Sequence, residues 1–216
     1  MKKVVIIDTG SSNILSLKRA IEIFHSNVDV TIESNSILSA NKIFFPGVGA
    51  FKKVMETLEK RKLIEVLIKA KNKGIPIFGI CLGLQLYFDE SEEFGKSKGL
   101  GLIHGNVKIL PKVSKKNEKL RIPNIGWFKL NINKKFENKR FSKFVNSIEE
   151  KNFYYFVHSY FVIPKNKENI VAHYNFGGHQ IPAIVSKDQI IGCQFHPEKS
   201  GKKGLDLIDN FLKITF

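Results

Sequence analysis

The first half of the chain alternates short apolar runs with segments that are apolar at every third or fourth position. Residues 3–7 form such a run and end at Asp8, whereas residues 13–24 carry apolar side chains at a helical period. A continuous apolar run is typical of a parallel strand buried on both faces, and the 3.6-residue period is typical of a half-buried helix. The same alternation predicts strands at 28–32, 42–45 and 75–80 and helices at 50–61, 63–73 and 82–88.

From residue 151 onward the apolar segments are shorter and recur at hairpin-like spacing. Turn residues such as Pro164-Lys165-Asn166 separate them, and a helical pattern over 205–214 follows the last one. For residues 92–152 we predict a strand-rich excursion, that is, additional strands outside the alternating pattern of the first half. We therefore expect one α/β domain over 1–216, with a mixed, largely parallel central sheet flanked by helices and a smaller antiparallel strand region in the second half. The predicted short strands of the second half are 153–157, 160–163, 170–174, 181–186 and 190–195.

Composition excludes several classes of protein. Hydrophobic residues make up 43% of the 216 positions, which is too many for a disordered chain, and two cysteines 112 positions apart exclude a disulfide scaffold. No stretch approaches the roughly 20 apolar residues that span a bilayer. Asp8 interrupts the first apolar run, where a signal peptide would continue it. We expect a cytoplasmic protein with no membrane partner.

The formal net charge of +15 raises the question of a nucleic-acid partner. However, only four of the 35 basic residues are arginine, and reading bases or gripping phosphates favours arginine over lysine. We interpret the lysines as a solvated surface and expect no nucleic acid. Attraction of an acidic partner or an anionic substrate stays open.

The strongest local motif is Gly79-Ile80-Cys81-Leu82-Gly83, which lies between a predicted strand and a predicted helix. It matches the nucleophile elbow G-x-S-x-G with sulfur in place of the hydroxyl, and small flanking residues are needed because the turn is tight. The start of the following helix favours the thiolate form of Cys81. The alternative is a buried structural cysteine at a strand end.

A second motif, Gln194-Phe195-His196-Pro197-Glu198, supplies what a thiol nucleophile needs. His196 is a candidate general base, and Glu198 is a candidate to orient its ring and stabilise the imidazolium. An H-x-E pair alone is a weak signal, but it gains weight beside a thiol elbow. Cys193 lacks an elbow, and we expect it to be a packed core thiol.

Acyl transfer also requires donors for a developing oxyanion. The backbone N–H of Leu82, directly after the nucleophile, is one candidate. The segment Gly47-Val48-Gly49, after a neighbouring strand, is the other, with an ordinary turn as its alternative. The Cys and His spacings match no metal-ligand set, so we expect neither a metal nor an organic cofactor.

Together these motifs resemble the class I (triad) glutamine amidotransferases, which have a flavodoxin-like fold. Additional matches resemble the glutaminase subunit of imidazole glycerol phosphate synthase, and they run from residue 6 to about residue 212. They are Asp8-x-Gly10 with Asn13, the run from Pro46 to Phe51, Gly126-Trp127, the run from Tyr155 to Tyr160, and Glu198-Lys199-Ser200.

The resemblance implies a function. Cys81 would attack L-glutamine, His196 and Glu198 would move the proton, and Gln85 would contact the bound substrate. The backbone at Ser159 and Tyr160 would hold the α-carboxylate of glutamine. Ammonia would pass to a separate (β/α)₈-barrel synthase subunit that makes imidazole glycerol phosphate and an aminoimidazole ribotide in histidine biosynthesis. Asn13, Trp127 and Lys199 would face that subunit in a heterodimer.

The chain departs from the family pattern at Thr9, Ser11-Ser12, Asn124 and Phe128, which we assign to the partner-facing side. These departures leave open a paralogous subunit that supplies ammonia to a barrel-type partner in surface-polysaccharide sugar biosynthesis. Two further alternatives are a non-enzymatic interaction module and a different reaction at Cys81. Intact triad and elbow residues argue against the module, and Gln85 with the His158–Tyr160 segment argues against other thiol chemistry.

Overall fold

Strands and helices alternate through the first half of the chain, as the apolar pattern predicts. The computed structural model describes residues 2–10 and 13–214, so the departure at Ser11-Ser12 lies outside the described residues. The helices are α1 (Ile14–Glu22), α2 (Ser34–Leu38), α3 (Phe51–Lys60), α4 (Leu63–Asn72), α5 (Leu82–Gln85), α6 (Ser142–Asn146) and α7 (Gly201–Lys213). The strands are β1 (Val4–Ile7), β2 (Val28–Thr31), β3 (Lys42–Gly47), β4 (Ile77–Cys81), β5 (Glu90–Ser91), β6 (Ser97–Lys98), β7 (Gly105–Ile109), β8 (Asn124–Lys129), β9 (Asn131–Ile132), β10 (Phe153–His158), β11 (Tyr160–Pro164), β12 (Ile170–Phe176), β13 (His179–Lys187) and β14 (Ile190–Cys193).

An eight-stranded sheet forms the centre of the molecule, in the order β2-β1-β3-β4-β14-β13-β12-β9. The five strands from β2 to β14 pair in parallel, and β13, β12 and β9 extend the sheet with antiparallel pairs. Two smaller sheets lie beside it: the ribbon β8–β10 and the four-stranded sheet β11-β7-β5-β6. The predicted mixed, largely parallel sheet and the strand-rich excursion are both confirmed.

Helices cover both faces of the central sheet because its strands are apolar on both sides. In β1, Val4 and Ile6 pack on one face with α1, α6 and α7, whereas Val5 and Ile7 pack on the other with α2, α3 and α4. Phe211 of α7 is fully buried, and its ring lies 5.1 Å from the ring of Phe44 and 5.0 Å from that of Phe78. No helix in the described ranges 2–10 and 13–214 is long and apolar enough to cross a membrane.

Helices α2 and α5 differ from the sequence prediction, and helix α6 lies in the region 92–152 that was predicted to be rich in strands. Helix α2 was not expected, because its sequence Ser34-Asn35-Ser36-Ile37-Leu38 buries only Ile37 and shows no helical period. Helix α5 ends at Gln85 instead of continuing to residue 88. After it, the amides of Tyr87 and Phe88 bond three residues back, to the carbonyls of Leu84 and Gln85, which tightens the chain and ends the helix.

The parallel strands bring the predicted chemistry to one edge of the sheet. Strands β3, β4 and β14 are neighbours, and the register pairs Gly47 with Cys81 and Ile80 with Cys193. The loop after β3, the elbow at Cys81 and the segment 194–198 therefore meet at the carboxyl edge. Ligand sites in open α/β sheets lie at this edge.

We predict that Phe211→Ala lowers the free energy of unfolding by about 3–5 kcal/mol, since it empties a fully buried site between two other rings. Phe94→Ala is the matched control, because the Phe94 side chain is 85% exposed and its loss should change stability by about 0.5 kcal/mol or less. Urea unfolding measures both. Equal effects of the two substitutions would show that Phe211 does not anchor α7 to the sheet.

Candidate active site

Cys81 lies at a sharp turn between β4 and α5 and has a backbone φ of +55°. Few non-glycine residues adopt such a conformation, and it is the signature of a nucleophile elbow. A Cβ at Gly83 would lie 1.8 Å from the carbonyl oxygen of Phe45, and one at Gly79 would lie 2.7 Å from the Tyr87 ring. Both glycines of the motif are therefore required by close packing.

His196 and Glu198 form a buried pair directly after β14. The Nδ1 of His196 donates to Glu198 Oε1 at 2.8 Å, and the two side chains are 5% and 4% exposed. Because Nδ1 is engaged, Nε2 is the free ring nitrogen, and among residues 2–10 and 13–214 it has no hydrogen-bond partner. Burial by itself lowers the pKa of His196, but the neighbouring Cys81 and Glu198 side chains outweigh burial and raise it to about 10.

A cavity of about 310 Å³ is lined by both Cys81 and His196. Its volume suits a molecule of amino-acid size. The predicted residues Val48, Gly49, Leu82, Gln85, Ser159 and Tyr160 all line it, together with Glu93, Val157 and His158.

The remaining predicted residues surround this cavity. Gly47 borders a small neighbouring void together with Asn13, His196 and Glu198. Lys199 is exposed and follows Glu198 directly. Trp127 is 51% exposed, and its ring packs edge-on against Tyr155, whose carbonyl accepts the backbone N–H of His196 at 2.9 Å. All three predicted partner-facing residues thus lie near the carboxyl edge.

Three of the departures from the family pattern do not face outward. Asn124 is buried and donates to the hydroxyl of Tyr174 at 3.1 Å, and the Phe128 ring packs against Phe156 and Tyr174. Thr9 is also buried. Assigning these side chains to the partner-facing side was wrong. Alternate residues of β8 point to opposite faces, and both Asn124 and Phe128 point to the core.

Sequence reasoning missed Glu93, and it named His158 and Gln194 only as members of motifs, without a role at the site. Glu93 lines the cavity, and its Oε2 accepts the backbone N–H of Phe51 at 2.6 Å. It lies in an acidic stretch without periodicity, which gave no signal.

No group of three or more His, Cys, Asp or Glu side chains in the described part of the chain is arranged to hold a metal ion. A larger cavity of about 560 Å³ lies between β11 and β12, but none of the predicted site residues line it.

A sequence model of the family described as "Glutamine amidotransferase class-I" matches residues 5–214 of this chain. The chain belongs to the class I glutamine amidotransferase family. The resemblance inferred from the motifs is thereby confirmed, and so is the enzyme class: a glutamine amidotransferase acting as a glutaminase.

Curated relatives of this glutamine amidotransferase cover nearly its whole length. It is 40% identical to the imidazole glycerol phosphate synthase subunit HisH of Prochlorococcus marinus over 96% of this chain and 92% of that protein. It is 37% identical to the subunit HisH 1 of Legionella pneumophila, strain Lens, over 99% and 100% of the two chains.

Solved structures share the fold of this glutamine amidotransferase at low sequence identity. One described as a glutamine amidotransferase superimposes with a TM-score of 0.70 at 13% identity, covering 96% of this chain and 98% of that one. The glutaminase domain of Trypanosoma brucei CTPS with bound acivicin superimposes with a TM-score of 0.63 at 17% identity, covering 100% and 96%. The predicted fold class is therefore confirmed.

We predict that acid destabilises the protein through His158. Its Nδ1–H donates to the carbonyl of Tyr160 at 2.8 Å, and its Nε2 accepts from the hydroxyl of Tyr174 at 2.8 Å. Burial lowers the pKa of His158 to about 4, from 6.5. The unfolded chain therefore binds the extra proton first, and stability falls by up to about 3 kcal/mol as the pH drops from 6.5 to 4.

His196 does not contribute to the loss of stability between pH 6.5 and pH 4. Because its pKa is raised in the folded protein, the stability that it adds is already fully present below pH 6.5. In urea unfolding at pH 7 and pH 4.5, His158→Asn should lose much of the acid sensitivity. The control His104→Asn, which alters a histidine with a 69% exposed side chain, should retain it. An unchanged acid sensitivity in the His158 variant would contradict the assignment.

Proposed function

We propose that this glutamine amidotransferase hydrolyses L-glutamine to glutamate and ammonia through a thioester on Cys81. The observation that carries the proposal is the shared cavity, where the sulfur of a strained elbow meets the ring of a buried His–Glu pair. The imidazole takes the thiol proton, and the sulfur attacks the side-chain amide carbon. His196 returns the proton to the departing nitrogen, ammonia leaves, and a thioester forms. Water then cleaves the thioester, giving glutamate and the free thiol.

The tetrahedral intermediate carries a negatively charged oxygen, which requires hydrogen-bond donors directed at it. We assign this role to the backbone N–H of Leu82 and to an N–H of the segment Gly47-Val48-Gly49. Two observations support the assignment. Leu82, Val48 and Gly49 line the cavity beside the sulfur. The pairing of Gly47 with Cys81 holds the two segments side by side.

Recognition of glutamine as an amino acid needs partners for both of its charges. Gln85 and the backbone of Ser159 and Tyr160 line the cavity and are assigned to the substrate and its α-carboxylate. Glu93 places a carboxylate on the same wall, and we assign it to the α-ammonium group.

The acceptor of the ammonia is inferred from the curated relatives. Those reported above are named as HisH subunits of imidazole glycerol phosphate synthase and are covered almost completely. They support ammonia supply in histidine biosynthesis and do not favour the surface-polysaccharide alternative. Because the chemistry requires a free thiol at Cys81, the proposal includes a reducing compartment, the cytoplasm.

We further propose that the partner is a (β/α)₈-barrel synthase subunit in a heterodimer, and that residues 1–216 act as one domain. One face of the β8–β10 ribbon carries Ile125, Trp127, Phe153 and Tyr155, the first three at least half exposed. Adjacent exposed apolar residues of this kind mark contact surfaces. This ribbon face lies beside the His196 loop, so a docked partner would receive ammonia close to where it forms.

We predict that Cys81→Ala lowers glutamine hydrolysis at least a thousandfold while thermal unfolding stays cooperative, since the nucleophile is lost and only one buried atom, the sulfur, is removed from the core. Cys193→Ala is the matched control, because Cys193 is fully buried and lies outside the cavity. It should cost stability but keep turnover. Measurable thioester chemistry in Cys81→Ala would exclude the proposed nucleophile.

We predict that Trp127→Glu weakens binding of the barrel subunit about thirtyfold or more, because a central exposed aromatic residue is replaced by a charge. Ile23→Glu is the control: Ile23 is 62% exposed but lies just beyond α1, at the opposite edge of the sheet. Titration of the two purified subunits measures both constants. Equal affinities of the two variants would remove the ribbon face from the interface.

A further inference from the structure

Gln194 has a fully buried side chain, and both ends of its amide have partners at the active site. Its Oε1 accepts from Gln85 Nε2 at 3.0 Å, and its Nε2 lies 3.7 Å from the sulfur of Cys81. It therefore connects the residue assigned to the substrate with the residue assigned to the attack.

The direction of the Gln194 amide follows from its neighbours. Gln85 Nε2 also donates to the backbone carbonyl of Tyr160 at 2.9 Å, and a carbonyl oxygen only accepts. The NH₂ group of Gln85 must therefore face both Tyr160 and Gln194. Only an acceptor atom of Gln194 satisfies it, so the NH₂ group of Gln194 is directed at the sulfur.

Further hydrogen bonds hold this arrangement in place. The carbonyl of Tyr160 also accepts Nδ1–H of His158, whose Nε2 accepts the hydroxyl proton of Tyr174. The Tyr174 oxygen in turn accepts from Asn124. Each N–H or O–H hydrogen in these bonds has its own acceptor, so reversing the Gln194 amide would place its NH₂ group against the NH₂ group of Gln85.

We propose that Gln194 is a further catalytic residue, whose amide N–H donates to the Cys81 sulfur and stabilises its thiolate form. When His196 takes the thiol proton, the negative charge develops on the sulfur of a residue that is only 7% exposed, with little water to solvate it. A neutral N–H donor stabilises that charge without giving up its proton. In the thioester the sulfur is uncharged, so the hydrogen bond from Gln194 to the sulfur is weaker. It strengthens again when the thiolate leaves.

This inference rests on the proposed nucleophile, and the experiment tests it without using turnover alone. Iodoacetamide alkylation of Cys81 in the full chain is followed against pH, with peptide mass spectrometry separating Cys81 from Cys193. We expect Gln194→Met to move the half-maximal pH of alkylation upward by about one unit and to lower kcat about tenfold. Gln194→Glu should move it further, because its carboxylate would face the thiolate.

The matched control is Gln189→Met. Gln189 is also buried, but its amide donates to the carbonyl of Lys71, and it lies outside the cavity. The control should keep the wild-type alkylation profile. If either Gln194 variant is folded by circular dichroism and also keeps that profile, the inference is overturned and Gln194 is a packing residue.

Should both Gln194 substitutions prevent folding, Gln85→Leu gives the decision, because it removes the donor that orients Gln194 and leaves the Gln194 side chain in place. Gln85→Leu also removes the bond to the Tyr160 carbonyl, so its readout is the alkylation of Cys81 and not turnover. An upward shift of the alkylation profile supports the inference, and an unchanged profile overturns it. The proposed function fails separately, if Cys81→Ala still hydrolyses glutamine. If Cys81→Ala is inactive but the Gln194 variants keep the wild-type alkylation profile, this inference is wrong while the proposed function stands.

Discussion

A backbone turn held in an unfavourable conformation at Cys81 is the constraint on which the site depends. A non-glycine residue at φ +55° costs on the order of 1–3 kcal/mol, so the surrounding structure must enforce it. Strands β3 and β14 pair with β4 on its two sides, and Gly83 brings α5 against the carbonyl of Phe45. This packing places Cys81 at the sheet edge, beside the proposed oxyanion donors, the proposed base and the other residues that line the cavity.

Two histidines on one cavity show how local partners decide protonation. His196 and His158 are both buried, and burial alone lowers the pKa of each. His196 lies between Cys81 and Glu198, which raise its pKa, so its ring readily accepts a proton. His158 faces a carbonyl and a hydroxyl and stays neutral, with its tautomer fixed. One ring therefore suits proton transfer, whereas the other is part of the wall.

Much of the fold and the catalytic core could be predicted from the sequence because both depend on local patterns. Apolar runs set the parallel strands, and the elbow glycines and the His-Pro-Glu triplet are contiguous motifs. The proposed roles of Glu93 and Gln194 could not be predicted, since they depend on contacts between segments more than 40 and 100 positions apart. The inward direction of Asn124 also depended on the register of a ribbon that periodicity did not reveal.

The hydrogen bond from the backbone N–H of His196 to the carbonyl of Tyr155 has one further consequence. It joins the loop that carries the base to the strand that carries the exposed aromatic face, and it involves main-chain atoms only. Replacing either side chain by any residue other than proline leaves this backbone hydrogen bond intact. Rigid-body movement of the ribbon would therefore shift the imidazole even in variants whose surface residues have diverged, so the connection is inherited with the fold itself.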